Sequence, residues 1–143
     1  MDDQPTPKVK RRPRRLKAGE AILTDDDIAA FWSAMDYWRD KFGLHAWRVH
    51  YSTQEAAGKT MAECVKWDRQ AKMVTVRIGT NWMSSEPTPE AISRVAMHEC
   101  LHILLADLID AAINAGEYDE SVVNAEHAVI NTLERLLPVR PEV

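Results

Sequence analysis

From Thr24 onward, apolar side chains recur every three or four residues, at Ile28, Phe31, Trp32, Met35 and Trp38. That period predicts one amphipathic helix. Thr24 stands as its N-cap with Asp27 three residues later in a capping-box arrangement, and Asp25 and Asp26 load the first turn with negative charge. Gly43 ends it. From Ala46 to Thr53 the period falls to two, with Trp47, Val49 and Tyr51 on one side and Arg48, His50 and Ser52 on the other, which predicts a half-buried strand. A second strand is predicted over Met61–Trp67, with Met61, Val65 and Trp67 inward, and a third over Met73–Ile78, with Val74, Val76 and Ile78 on one face. The short turn between these two predicts a hairpin. After a loop holding Asn81, Trp82 and Pro87, Thr88 caps a further helix with Pro89 at its first position. The stretch Ile92 to Ile109 is apolar on nearly every side, as in a helix crossing a core, and the pattern runs to about Asn114 before Gly116. Asp119–Leu137 is the last predicted helix, closed by Pro138. Helix, small three-stranded and mostly antiparallel sheet, then two helices make an α+β fold.

The chain has 143 residues, of which 45% are apolar, enough for one domain with a real core. That domain is expected over residues 20–143. Residues 1–19 are Pro-rich and basic without periodicity, and a disordered tail is expected there. Its charge changes the picture. Seven basic residues between Lys8 and Lys17 face Asp2 and Asp3, a local +5, so the rest of the chain carries −9 of the total −4. Phosphate neutralisation by residues 8–17 makes nucleic acid a candidate partner, with a solubilising leader as the alternative. No charge-free apolar run reaches the ~18 residues a membrane span needs, and no membrane partner is expected. Met1-Asp2-Asp3-Gln4-Pro5 does not open a secretory signal. Cys64 and Cys100 stand far apart and outside any CxxC pair, which fits a reducing cytoplasm.

The candidate chemistry lies in His98-Glu99-Cys100-Leu101-His102. Two histidines four residues apart share one helix face and can reach one metal ion, and a Glu beside the first can serve as a base for water. Cys100 points away from His98 and is expected to be core filler. A third ligand is needed. On a helical wheel of Asp119–Leu137, Val122, Val123, Val129, Ile130, Leu133 and Leu137 gather on one face with Glu126 at its middle, whereas Glu120, Asn124, His127, Asn131 and Arg135 fall opposite. A carboxylate on a core-facing stripe requires a strong partner. The metal is the expected partner, and a salt bridge to Arg94 or Arg77 is the alternative. Asp107 points almost opposite His98. For Glu126 to lie level with His102, the motif helix must stop or bend near Asp107–Asp110, or the two helices must cross steeply.

His98-Glu99-x-x-His102 with Glu126 on a following helix resembles the gluzincin branch of the zincin metallopeptidases, over roughly residues 24–137. The resemblance implies a compact zinc-dependent peptidase of the bacterial or phage kind, an endopeptidase rather than an exopeptidase. It would be cytoplasmic, in the host if phage-encoded. It also implies that His98, His102 and Glu126 bind Zn2+, that Glu99 is the general base, and that a protein or peptide is the substrate. Tyr118 and His127 are the nearest candidates for transition-state stabilisation, with Tyr51 or His50 as further ones. A peptide could extend along a sheet edge at residues 73–82, and Trp82 could line a specificity pocket. The alternative function is a non-proteolytic binding or regulatory protein on the same scaffold, associated with nucleic acid through its basic tail.

Overall fold

The computed structural model describes residues 20–138 except 53, 59 and 84. The expected tail over residues 1–19 lies outside them. The described part is α+β, with helix α1 (Asp25–Lys41), strands β1 (Arg48–Tyr51), β2 (Ala62–Asp68) and β3 (Met73–Ile78), then helices α2 (Pro89–Leu104), α3 (Ala106–Asn114) and α4 (Glu120–Leu136).

Helix α1 forms as its sequence requires. The Thr24 hydroxyl accepts from the Asp27 amide, and the Asp27 carboxylate accepts from the Thr24 amide. Gly43 adopts φ +66°, the left-handed conformation that ends a helix at little steric cost. Phe31, Met35 and Trp38 are buried, and the Trp38 indole N–H donates to the buried Ser93 hydroxyl at 3.0 Å, tying α1 to α2.

The sheet has the order β1-β3-β2 and is mixed rather than mostly antiparallel. β2 and β3 form the expected antiparallel pair, but β1 runs parallel to β3, with Val49 beside Val74 and Tyr51 beside Val76. Period-two alternation fixes which residues share a face, not the direction of the partner strand. The inward set of β2 also differs from the expected Met61, Val65 and Trp67. Ala62 and Cys64 pair with Ile78 and Val76 on the core side, and Val65 pairs with Thr75 on the other. A bulge between Val65 and Asp68, with Lys66 at φ +52°, then turns half-buried Trp67 edge-on to buried Trp47. Because β3 is the central strand, its edges are both used, and residues 73–78 cannot hold a peptide by strand addition. Trp82 is a core residue, 1% exposed, whose indole N–H donates to the carbonyls of Met61 and Gly79. At Gly79 a Cβ would stand 2.2 Å from the Thr60 carbonyl oxygen, so only glycine fits against that loop.

Thr88 and Pro89 start α2 as expected, and the Thr88 hydroxyl accepts from the Ala91 amide. α2 stops at Leu104, a little before the Asp107–Asp110 stretch, and α3 starts afresh at Ala106. The Met97, Cys100, Leu101 and Ile103 side chains are buried in the core between α1 and the sheet. Among the described residues, no helix is long and apolar enough to cross a membrane.

Candidate metal centre

The interruption after Leu104 lets α4 return across α2 at the level of the histidine pair. Of the 17 residues of α4, only Ile130 is buried. Glu126, Ile130 and Glu134 lie at four-residue steps on the face toward α2, and His127 flanks that line. α4 is held through these polar groups together with Ile130 and the half-buried Leu133.

Those groups form ordered pairs. Glu134 Oε1 lies 2.7 Å from His98 Nδ1, and Glu126 Oε1 lies 2.8 Å from His102 Nδ1. A carboxylate only accepts, so each Nδ1 carries a hydrogen and donates it. His127 Nδ1 lies 2.9 Å from the Val123 carbonyl, which likewise takes a donor. Each ring is thereby left with Nε2 as its free nitrogen. His98 Nε2 and His102 Nε2 stand 3.2 Å apart, and ligand nitrogens of His98, His102 and His127 all lie within 4.8 Å of one another.

This arrangement tests whether the residues fit a metal. Two neutral imidazoles with their hydrogens on Nδ1 would face each other lone pair to lone pair at Nε2, a contact that a metal cation, or a proton shared between the rings, turns attractive. Two nitrogens at ~2.0–2.1 Å from a tetrahedral ion stand about 3.3 Å apart, close to the 3.2 Å found. The rings also have the carboxylate or carbonyl acceptors behind Nδ1 that orient metal-binding histidines. Three His with these partners fit a divalent cation.

The third member differs from the expectation. Glu126, expected as a direct ligand, sits behind the His102 ring at Nδ1, and the nitrogen cluster is completed by His127. The reason is rotational. The expected stripe counted Val122 and Val129 as inward, but Val129 is 45% exposed and Ile130 is the buried residue. Centring the contact face on Ile130 turns the helix by about 40° at 100° per residue, which carries His127 from the solvent side to the rim of the site. Glu134 enters by the same rotation, and its signal was present in the sequence as an acid seven residues after His127. The Glu126 salt bridges considered as an alternative do not form, since Arg94 pairs with Glu90 at 3.4 Å and Arg77 with Glu63 at 3.7 Å. Asp107 faces elsewhere, bound to the Lys72 ammonium at 3.1 Å.

Glu99 is 4% exposed and points between α2 and β2. Burial raises its carboxyl pKa above the ordinary range, against the lowering effect of His102, of a hydrogen bond from the Cys64 thiol, and of His98. Beside it opens a cavity of about 280 Å³ lined by Met61, Ala62, Arg94, Val95, His98, Glu99 and Glu134. The remaining candidates lie apart. Tyr118 is 46% exposed in the turn before α4. Tyr51 donates its phenol hydrogen to Asp36, accepts from Arg39 and stacks on Trp32, so it belongs to the α1 side. His50 is exposed on the outer side of β1. Cys100 is fully buried against Met35, as expected for core filler, and both cysteines are free. No protein family model, curated protein or solved structure matches the chain.

Proposed function

We propose that the protein is a metal-dependent peptidase of the zincin type, with His98, His102 and His127 holding a zinc ion and Glu99 as general base. The observation that carries this reading is the convergence of three imidazoles, each fixed through Nδ1, with His98 and the buried Glu99 lining one open cavity. Three His with no carboxylate in the direct set departs from the gluzincin pattern, so the resemblance holds for the motif helix and not for the third ligand.

A divalent ion bound there supplies Lewis acidity toward a carbonyl oxygen and makes water more acidic. The chain's own groups do the rest. Glu99 accepts the proton of the attacking water and passes it to the leaving amine. Burial raises its pKa, which makes the carboxylate a stronger base toward the proton of the water. Glu126 and Glu134 hold the two motif imidazoles in one tautomer and one orientation. The cavity takes a substrate side chain between Met61, Val95 and Arg94. β2 has one strand neighbour, and its other edge is available to an extended peptide. The free cysteines fit a cytoplasmic protein. The test is hydrolysis of denatured casein by the zinc-loaded protein and its Glu99→Gln variant. Cleavage by the parent and none by the variant, with zinc content equal, is expected. Equal cleavage by both removes Glu99 from the mechanism, and zinc binding without cleavage by either reduces the protein to a binding scaffold.

A further inference from the structure

The outer face of the sheet carries a second hollow that shares no lining residue with the one beside Glu99. It measures about 210 Å³ and is lined by Arg48, Val49, His50, Lys66, Met73, Val74 and Thr75. Arg48 and His50 come from β1, Thr75 from β3 and Lys66 from the bulge of β2, so all three strands contribute. The register explains how. Val49 and Val74 pair on the core side, which turns Arg48 and His50 outward across β3 from Lys66.

Three features of this face point to an anion. First, the side chains of Arg48, His50 and Lys66 have no ion pair or hydrogen bond among the described residues, whereas Arg39, Lys72, Arg77 and Arg94 each have a carboxylate partner. Second, Glu63 is paired with Arg77 and is not free to pair with Arg48 or Lys66, and Asp68, which keeps its charge, accepts from the Ala71 amide in the turn after β2. Third, Lys66 holds φ +52°, a conformation that L residues with a Cβ avoid, inside a bulge that brings its side chain to the hollow. Outside residues 1–17 the chain carries −9, so two cations without ion pairs among the described residues run against the charge of their surroundings.

We propose that this sheet face binds the phosphodiester backbone of nucleic acid. Two cations and an imidazole spread over the width of three strands match a row of phosphates better than one compact anion, and Thr75 offers a hydroxyl at the floor. The inference does not depend on the peptidase reading, because the two hollows share no lining residue.

The experiment uses the full chain in a background where the seven Lys and Arg of residues 8–17 are each changed to Gln, so that only the sheet face is read. Binding of a fluorescein-labelled 20-nucleotide DNA is followed by anisotropy at several salt concentrations. Arg48→Glu with Lys66→Glu is compared with Lys41→Glu plus Arg135→Glu, which alters net charge equally at exposed sites on α1 and α4. We expect at least tenfold weaker binding and a salt slope reduced by about two for the sheet pair, with less than twofold change for the control pair. Arg48→Ala with Lys66→Ala, checked by its thermal midpoint, gives the same direction without charge reversal. Equal losses in both charge-reversed proteins, no loss in the alanine pair, or binding displaced fully by millimolar inorganic phosphate alone would overturn the proposal.

Discussion

Replacing Glu126 and replacing His127 should have unequal effects on zinc affinity, and the inequality separates a direct ligand from a residue one bond behind it. Apparent zinc-binding free energies of roughly 10–16 kcal/mol in four-ligand sites give ~3–4 kcal/mol for each direct ligand, or about 10²–10³-fold in affinity. A carboxylate behind an imidazole is worth about 10–100-fold. The Glu126 carboxylate is only 10% exposed and its bond to His102 Nδ1 is 2.8 Å, so solvent replaces it poorly and the loss should fall in the upper part of that range. Glu126→Gln keeps an acceptor oxygen without the charge and should fall in the lower part. The expected order of weakening is therefore Glu126→Gln, then Glu126→Ala, then His127→Ala. It is measured by titrating the purified proteins against a chromophoric zinc chelator at fixed pH. A Glu126→Ala protein that binds zinc more weakly than His127→Ala would show that the carboxylate is the direct ligand and that the three-histidine assignment is wrong.

Other consequences follow from the same contacts. Because Ile130 is the only buried residue of α4, chelation of the metal should loosen that helix first, seen as faster amide hydrogen exchange over Glu120–Leu136 with α1 unchanged; uniform protection with and without metal would mean that α4 docks without it. Thr24→Ala removes a capping hydroxyl and should lower stability by about 1 kcal/mol, measured by urea denaturation; an unchanged midpoint would deny the capping box a role. Burial, with Asp36 as acceptor, pushes the Tyr51 phenol up to about 12 from 10.0. A raised folded-state pKa contributes stability that is complete below the unfolded value and is lost as pH climbs through the folded one. Stability should therefore fall between pH 10 and about 12, and Tyr51→Phe should flatten that fall in an alkaline denaturation series.

Much of this protein is decided locally. The period of three to four from Ile28 to Trp38, the capping box at Thr24 and the left-handed stop at Gly43 specify α1 without reference to the rest of the chain. Thr88-Pro89 does the same for the start of α2, and four-residue spacing alone places His98 and His102 on one face. What the sequence left open depends on partners distant along the chain. The parallel pairing of β1 with β3 is a choice between directions that period-two alternation cannot encode. The inward face of β2 follows from Cys64 lying over Glu99, 35 residues away, and from a bulge with no glycine to announce it. The third histidine is the sharpest case. Glu126 and His127 are neighbours about 100° apart on the wheel, and the exposed Val129 biased the apparent apolar face toward the acid. Only the rotation of α4 about its own axis against α2, set by Ile130 packing and by two carboxylates reaching two imidazoles, turns His127 toward the cluster and Glu126 behind His102.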